Sequence, residues 1–440
     1  MSRRGSLYSI FASLLLVVSC STSQVRVPTG EPVQELTFEG DLENSPEAMT
    51  KPYVVMVSVD GYRHDYNGLF SPPILSSIER EGVSARSLRP VYPSKTFPNH
   101  LSLVTGLYPD KHGIVSNDFY DPAREQGYKL ADAKAVEDGT WYLSEPIWVT
   151  LQKQGMRTAT FFWPGSAAAI QGKYPNYYYR YSEAFPNSQR VDRVLEWLKL
   201  PPTKRPHFIT LYFSDVDTAG HKTGTKSPEL RQAILSVDAE IGRLREGLKT
   251  SGLPVNLVIV SDHGMENLDA SKVLTIDESN DVATLLPKFK LVGRGPQMTF
   301  YLNKGESSGL VVKLHQAIDA WARAGRKPVR VLRGPALAKL HYGGLPRVGD
   351  LVVIPDMPWV LGTKAAPAEP SGGNHGWDPK EQAMHGVFFA EGPAFKARTL
   401  LPTFDSVNVV PLLAEILGVK PARNLDGKLS VTKEALAPAK

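Results

Sequence analysis

Short runs of consecutive apolar residues alternate along the chain with longer segments of helical periodicity. Three runs, over residues 53–59, 207–213 and 255–260, are continuous and rich in β-branched or aromatic residues. Such runs predict strands buried on both faces, and their alternation with helices predicts an α/β fold with a mostly parallel central sheet. Each run leads into an acidic residue. We therefore expect the chemistry at the carboxyl ends of the strands, where open α/β sheets bind ligands.

The segment between the second and third runs has the clearest helical pattern. Ser227 and Pro228 supply an N-cap and a first-turn proline, and Gly252 follows the end. Apolar residues recur at spacings of three and four, at Leu230, Ile234, Val237, Ile241, Leu244 and Leu248. The pattern predicts a helix with one buried stripe, on which Asp238 has a structural role. A second helix is predicted over about 190–199.

Between residues 278 and 370 the pattern changes to short strand-like runs, one helix and many Gly and Pro. The strands are predicted at 298–302, 329–332 and 351–354, and the helix near 310–324. We interpret this stretch as a smaller inserted α+β region. The predicted division is a signal peptide at 1–19, a lipidated Cys and flexible tether at 20–50, the first part of the main α/β domain at 51–277, the inserted subdomain at 278–370, the second part of the main domain at 371–430, and a tail at 431–440.

The N-terminus has the pattern of an export signal. Arg3 and Arg4 precede an apolar stretch, 7–18, that is too short to span a membrane comfortably. Residues 17–20, at the end of this stretch, resemble a bacterial lipobox, and Cys20 is the only cysteine in the chain. We expect an exported lipoprotein, periplasmic or at the cell surface, that is tethered through Cys20. The alternative is an ordinary cleaved signal that happens to contain a cysteine.

Composition limits the choice of partners. The 440 residues carry a net charge of +5, scattered without a dense basic block, so no nucleic-acid-binding surface is predicted. We expect a monomer that acts on a small-molecule substrate and touches the membrane only through its lipid anchor. A mildly positive surface favours anionic substrates.

Acidic residues and histidines cluster just beyond the predicted strands and in a later glycine-rich loop. Asp60 ends the first apolar run, and Asp217 and His221 stand four residues apart on a predicted loop after the second run. Asp262 and His263 are adjacent after the third run, and His375 lies later in the chain among glycines. Taken singly, each is consistent with a structural role. Together they form an inventory of zinc ligands.

Thr96 precedes the helical pattern that begins at Leu101. Free backbone N–H groups at a helix start favour an oxyanion. Thr96 could be a simple N-cap, or it could be a nucleophile whose pKa is lowered by a zinc bound to neighbouring Asp and His side chains. Both roles can hold at once.

The order of these motifs resembles the nucleotide pyrophosphatase/phosphodiesterase family of the alkaline phosphatase superfamily, over about residues 52–425. The similarity is carried by residues 59–61, 93–100 (Pro-Ser-Lys-Thr-Phe-Pro-Asn-His), 107–109, 112–114, 116–117, 119–121, 163–166 (Trp-Pro-Gly-Ser), 217 with 220–221, 261–265 and 374–376.

The resemblance implies an alkaline phosphatase-like three-layer sandwich and two zinc ions. One zinc would be held by Asp217, His221 and His375, and the other by Asp60, Thr96, Asp262 and His263. It further implies in-line displacement through a phosphothreonine at Thr96, with Asn117 donating a hydrogen bond to a phosphoryl oxygen. The implied activity is hydrolysis of nucleotide diesters or pyrophosphates, with release of a nucleoside 5′-monophosphate.

These motifs indicate the substrate specificity less clearly than they indicate the metal ligands. Superfamily monoesterases with a Thr nucleophile place a Lys and an Arg in the region that matches 163–166, which is uncharged here, so a diester is favoured. We predict that Phe97, Asn117, Tyr174 and Tyr177 bind the substrate, the aromatic residues by stacking on a base. Choline or lipid-derived diesters, phosphate monoesters, and a metal-binding protein without turnover remain alternatives. We assign packing or supporting roles to His64, His100, His112, His207 and His385.

Overall fold

The computed structural model describes residues 34–37, 43–368 and 370–438. A nine-stranded sheet runs through its centre in the order β1-β5-β4-β6-β2-β7-β8-β3-β9. In chain order, β1 to β9 are Glu35–Thr37, Tyr53–Val59, Val83–Ala85, Thr158–Phe161, Tyr177–Tyr179, Phe208–Phe213, Val255–Val260, Phe388–Glu391 and Thr399–Leu401. Strands β5, β4, β6, β2 and β7 are parallel, whereas β1 and β8 run antiparallel to their neighbours. The predicted mostly parallel central sheet is confirmed.

Alternate side chains of each central strand enter different cores. Val55 and Val57 pack in the core that contains the helix Pro228–Thr250, whereas Val54 and Met56 pack in the core that contains the helix Thr96–Thr105. Helices on both faces give three layers, as expected for a parallel sheet. The α-helices of the described residues are Tyr66–Phe70, Pro73–Glu81, Thr96–Thr105, Pro109–His112, Ala133–Val136, Ile147–Gln152, Asn187–Leu198, Asp215–Thr223, Pro228–Thr250, Asn280–Leu285, Gly309–Ala324, Pro335–Ala338, Val409–Leu417 and Leu429–Thr432.

The long helix Pro228–Thr250 confirms the prediction from its periodicity. Ser227 Oγ accepts the Leu230 N–H at 3.0 Å, and the whole predicted apolar stripe is buried. Asp238 accepts the N–H groups of Ile74 and Leu75 at 3.1 and 2.7 Å. It therefore binds the open amino end of the neighbouring helix Pro73–Glu81, which confirms its structural role.

A second, antiparallel sheet lies within the predicted insertion. This inserted sheet has four strands in the order Phe289–Val292, Met298–Leu302, Leu351–Pro355 and Val329–Leu332. The helix Gly309–Ala324 packs in the same core. The strand Phe289–Val292 is an addition to the prediction, because Lys290 interrupts its apolar pattern. The limits 278–370 of a separate subdomain stay a prediction.

Four small strand pairs lie outside the two sheets among the described residues. They are Asp118–Asp121 with Gln126–Lys129, Glu266–Asn267 with Gly373–Asn374, Val273–Thr275 with Val360–Gly362, and Leu88–Arg89 with Phe404–Asp405. The first pair is antiparallel and is called the hairpin below.

The terminal segments differ from the prediction where they are described. Strand β1 lies inside the predicted tether, yet it pairs with β5, and Glu35 Oε2 accepts the Trp197 indole N–H at 2.9 Å. In the predicted tail, Ala435 is fully buried. Three-residue strands and single buried residues are too short to produce a periodic pattern. The predicted export signal and Cys20 lie outside the described residues, and within those residues no helix combines the length and apolarity needed to cross a membrane.

Candidate active site

The candidate ligands lie where the central strands end. Asp60 directly follows β2, and Asp262 comes two residues after β7. The helix Asp215–Thr223 begins two residues after β6, so Asp217 and His221 share one helical face. This corrects the prediction that the pair lies on a loop. Gly61 has φ +68°, and a Cβ there would lie 2.9 Å from Asp217 Cα, so only glycine allows these segments to approach so closely.

Two groups of donor atoms meet at this edge of the sheet. In the first, His375 Nε2 lies 3.1 Å from His221 Nε2 and 3.7 Å from Asp217 Oδ1, and the latter atom is 3.5 Å from His221 Nε2. Three ligand atoms at such separations can surround one metal ion. Asp217 and His221 are half-buried, so this group lies on the more open side of the site.

The second group surrounds His263 and is almost wholly buried. His263 Nε2 lies 3.0 Å from Asp262 Oδ2, 3.4 Å from Asp60 Oδ1 and 3.4 Å from Thr96 Oγ1. The rings of His263 and His375 stack with centroids 3.6 Å apart, which joins the two groups. The structure therefore brings together all seven predicted metal ligands, which we call the ligand cluster.

Each histidine of the ligand cluster has one ring nitrogen engaged by the backbone. Nδ1 lies 2.9 Å from Gly373 O in His221, 2.9 Å from Gly264 O in His263, and 2.8 Å from Ser94 O in His375. A carbonyl can only accept, so we infer that Nδ1 carries the proton and that Nε2 keeps its lone pair. All three Nε2 atoms point into the cluster, which is the arrangement that metal-binding histidines require.

The charges of the cluster are unbalanced. Asp60 Oδ1, Asp217 Oδ1 and Asp262 Oδ2 are buried and accept no hydrogen bond from the described residues. Burial, together with the nearby carboxylates of Asp262 and Asp217, raises the pKa of Asp60 well above its usual value. Burial and the neighbouring imidazoles lower the pKa of His375 well below its usual value, so this ring is neutral, as a metal ligand must be.

Thr96 is the first residue of its helix, and Lys95 occupies the N-cap position without a side-chain capping bond. The Thr96 hydroxyl faces His263 instead of capping the helix. Asn117 Oδ1 accepts the N–H of Phe97, the residue after Thr96, at 2.9 Å. The structure thus brings three predicted residues, Thr96, Phe97 and Asn117, together beside the ligand cluster.

Two side chains support the carboxylates. The Tyr212 hydroxyl donates to Asp60 Oδ2 at 2.6 Å, a contact that the sequence pattern did not indicate. His100 lies 3.4 Å from Asp262 Oδ2, 2.9 Å from Thr96 O and 2.8 Å from Ser58 Oγ. These contacts agree with the supporting role predicted for His100.

The other four histidines that were predicted to have packing or supporting roles lie outside the ligand cluster. His112 Nε2 is 3.1 Å from Ser102 Oγ, His207 Nδ1 is 3.0 Å from Pro52 O, and His385 Nδ1 is 2.8 Å from Ser87 Oγ. His64 lies near His385 at a centroid distance of 6.3 Å. These contacts agree with the packing roles assigned to them.

Tyr174 and Tyr177 are not part of the site, which corrects their prediction as base-binding residues. Tyr177 begins β5 and pairs with Ala159, near the amino end of the parallel strands, where its hydroxyl donates to Lys204 O at 3.1 Å. The Tyr174 carbonyl accepts from Gln152, which precedes β4 at that same end. The ligand cluster lies at the opposite, carboxyl end.

The family profile for type I phosphodiesterase / nucleotide pyrophosphatase matches residues 54–378. The chain belongs to this family. The ectonucleotide pyrophosphatase/phosphodiesterase family member 3 of Rattus norvegicus is 33% identical over 389 residues, which cover 86% of this chain and 43% of that protein. The venom phosphodiesterase of Naja atra is 34% identical over 391 residues, which cover 86% of this chain and 46% of that protein. The chain thus spans less than half the length of these curated relatives.

Solved structures of the family share the fold. Murine ectonucleotide pyrophosphatase/phosphodiesterase 5, an inactive variant in complex with AMP, aligns with a TM-score of 0.80 and 29% sequence identity. The alignment covers 88% of this chain and all of that one. The predicted family and the alkaline phosphatase-like fold are both confirmed.

Proposed function

We propose that this chain hydrolyses phosphate diesters and pyrophosphates of nucleotides and releases a nucleoside 5′-monophosphate. The observation that carries the proposal is the Thr96 hydroxyl, which lies within the ligand cluster at the start of a helix. The names of the relatives and the AMP bound to the murine protein support the substrate class.

The ligand cluster fits two zinc ions, because its donors are imidazole nitrogens and carboxylate oxygens, and three of these oxygens are buried without a hydrogen bond. Asp217, His221 and His375 would hold one ion, and Asp60, Thr96, Asp262 and His263 the other. When bound, zinc would favour the alkoxide form of Thr96 and stabilise the charge of the phosphoryl oxygens. A chelator should abolish turnover and added zinc should restore it; full activity in chelator would contradict the metal requirement.

The reaction then needs two displacements at phosphorus. Thr96 Oγ1 gives up its proton to solvent and attacks the phosphorus, the bond to the leaving oxygen breaks, and a phosphothreonine forms. Water next attacks the same phosphorus and loses a proton, and Thr96 Oγ1 leaves and regains one. Because Asn117 Oδ1 accepts the Phe97 N–H, the amide nitrogen of Asn117 is its remaining donor for a phosphoryl oxygen.

The surroundings of Thr96 support a nucleotide diester. The Trp163 indole donates to His100 O at 3.2 Å, so the uncharged turn 163–166 borders the helix that begins at Thr96. Lys95 precedes the nucleophile, and a Cβ on Gly376, beside His375, would lie 3.0 Å from Lys95 Cε. A lysine so close to the ligand cluster favours a leaving group with further phosphates over a choline ester, whose ammonium it would repel.

The base would be bound by Phe97 and Tyr181 rather than by Tyr174 and Tyr177. The Tyr181 hydroxyl donates to Ser214 Oγ at 3.2 Å, next to the helix of Asp217, and its ring lies 6.1 Å from that of Tyr212. Tyr181→Ala should raise KM for a nucleotide ester, since a stacked base is worth about 1–3 kcal/mol. An unchanged KM would remove Tyr181 from the base site.

The discriminating experiment compares kcat/KM for three nitrophenyl substrates. We expect the ester of thymidine monophosphate to exceed phosphorylcholine and the phosphate monoester by at least about tenfold, a difference of about 1.4 kcal/mol in transition-state binding. A choline ester that is faster by the same factor would contradict the nucleotide assignment, and a faster monoester would contradict the diester assignment.

Export and anchoring through Cys20 belong to the same proposal, supported by the lipobox-like residues 17–20. In a bacterial host, Cys20→Ala should move the protein from the membrane fraction to the soluble fraction. Equal fractionation of both forms would contradict the lipid anchor. The monomeric state stays a prediction, which sedimentation can test.

A further inference from the structure

Arg347 connects the inserted region to the main domain. It lies just before the inserted strand Leu351–Pro355 and is only 6% exposed. Its guanidinium donates to Asp121 Oδ2 at 2.7 Å and to the carbonyls of Gly113 and Trp141, both at 2.9 Å. These acceptors come from the chain before the hairpin, from the hairpin itself and from the chain after it, so one side chain joins three segments.

The inserted sheet contacts the hairpin at the neighbouring residue as well. The Tyr301 hydroxyl donates to Arg347 O at 2.8 Å and accepts the Tyr120 N–H at 3.3 Å. Lys290 Nζ lies 3.9 Å from the centre of the Tyr120 ring. The first strand of the hairpin is therefore held at two successive positions, Tyr120 and Asp121.

The hairpin in turn contacts the backbone next to the nucleophile. Asn117 immediately precedes the hairpin, and its carbonyl accepts the Leu130 N–H at 2.9 Å, which closes the hairpin. Its side-chain Oδ1 accepts the Phe97 N–H at 2.9 Å. The position of Asn117 is thus determined jointly by the hairpin and by the helix that begins with Thr96.

An aromatic stack forms a second connection between the same parts. The Arg347 guanidinium lies 5.5 Å from the Phe119 ring, which stacks on Tyr128 at 4.9 Å. The Tyr128 ring meets the edge of Phe97 at 6.1 Å. Both connections lead from Arg347 to Phe97, the residue after Thr96.

We propose that Arg347 is a positioning residue, which holds the hairpin so that the Asn117 amide stays aligned with the phosphoryl group at Thr96. A planar guanidinium that binds a carboxylate and two carbonyls fixes both distance and direction, which a lysine ammonium does not. The inference rests on the proposed function, because alignment matters only if phosphoryl transfer occurs at Thr96.

Kinetics of Arg347→Met provide the first test. We expect kcat for the thymidine monophosphate ester to fall by about tenfold or more with KM changed less, because small misplacements of aligned groups reduce rates steeply. Arg347→Lys should recover only part of the loss. In an Asn117→Ala background, Arg347→Met should cause no further loss, since the residue through which it acts is gone. An equal loss in both backgrounds, or wild-type kcat, would overturn the proposal.

Arg245→Met is the matched control. Arg245 forms a partly buried bidentate pair with Glu391, 2.7 Å on each branch, between the helix Pro228–Thr250 and β8. Its loss should lower thermal stability and leave kcat unchanged. A similar kcat loss in this control would show that Arg347→Met acts through general destabilisation and would overturn the positioning role.

Amide hydrogen exchange tests the inference without turnover. In Arg347→Met, the N–H groups of Phe97 and Leu130 should exchange faster, because both bond to Asn117, and Arg245→Met should leave them unchanged. If the wild type hydrolyses no diester, the proposed function fails and exchange alone decides whether Arg347 holds Asn117. Unchanged exchange would overturn the inference even if the enzyme is active. If Arg347→Met does not fold, the same measurements on Asp121→Asn test the Arg347–Asp121 ion pair, because asparagine has nearly the same shape as aspartate without its charge.

Discussion

Two groups of charged side chains are buried in this molecule, and they are built in opposite ways. In the ligand cluster, carboxylates crowd together and three of their oxygens accept no hydrogen bond from the described residues. Where the inserted sheet meets the hairpin, Arg347 faces Asp121 and two carbonyls, so positive charge is matched within the fold. A buried charge that the chain leaves unmatched indicates a site for an external cation, and a matched charge indicates a structural connection.

The largest effect should come from the Thr96 hydroxyl, which lies beside His263 in the ligand cluster. Thr96→Ala should reduce turnover on the order of 10³-fold or more, because no other group of the cluster can replace the nucleophile. The zinc content should remain, since the imidazole and carboxylate ligands are untouched. Elemental analysis and single-turnover kinetics measure both, and Thr96→Ser serves as the control that retains a hydroxyl. Near-wild-type turnover in Thr96→Ala would rule out the covalent mechanism.

The next largest effect should come from the Arg347–Asp121 pair, and it should be independent of metal. Asp121→Asn should lower the free energy of unfolding by about 3 kcal/mol, because it leaves the buried Arg347 charge without its carboxylate. Urea unfolding with zinc and with chelator should show the same loss. A loss that appears only with zinc would mean that the hairpin contact depends on the ligand cluster.

In the ligand cluster, removal of a carboxylate should have the opposite effect on the free energy of unfolding. Without metal, Asp60→Asn should raise the free energy of unfolding by about 2 kcal/mol at neutral pH, because it removes a buried carboxyl group that lies beside two other carboxylates and whose Oδ1 accepts no hydrogen bond from the described residues. With zinc, the same change should destabilise the protein. Destabilisation by Asp60→Asn in chelator as well as in zinc would contradict the comparison.

The pH dependence follows from the direction of the Asp60 shift. Burial raises the pKa of Asp60. Between the unfolded and the folded pKa, the folded metal-free protein therefore keeps a proton on Asp60 that the unfolded chain has released. Stability should therefore fall as the pH rises from the unfolded pKa, about 4, through the raised folded pKa. Asp60→Asn should flatten this slope in chelator, and an unchanged slope would mean that Asp60 does not cause it.

Most of the ligands could be predicted because they stand just beyond the end of a continuous apolar run. Asp60 and Asp262 follow continuous apolar runs, and such runs form buried strands whose carboxyl ends meet at one edge. The apolar stripe on the helix Pro228–Thr250 could be predicted equally well. In both places, the information lies in neighbouring residues, so a single sequence suffices.

The remaining features depend on partners that are distant in the chain. Tyr177 was assigned to the base site, but it begins β5, and a parallel strand begins at the edge opposite to the ligands. Arg347 and Asp121 are 226 residues apart, and nothing in the local pattern shows which Arg meets which Asp. The strand β1 was missed because three residues do not establish a period.

The smallest predicted effect concerns the Tyr212 hydroxyl, which supports a carboxylate of the ligand cluster. Tyr212 donates to Asp60 Oδ2, which leaves Oδ1 directed at His263 Nε2. Tyr212→Phe should weaken zinc binding by about tenfold, because a ligand that loses its supporting hydrogen bond is less well oriented. Competition with a chromogenic chelator measures this, and Tyr62→Phe, a buried hydroxyl bonded to Asn67, is the control. Equal affinity in wild type and Tyr212→Phe would mean that packing alone orients Asp60, because the lost hydrogen bond would then contribute nothing to metal binding.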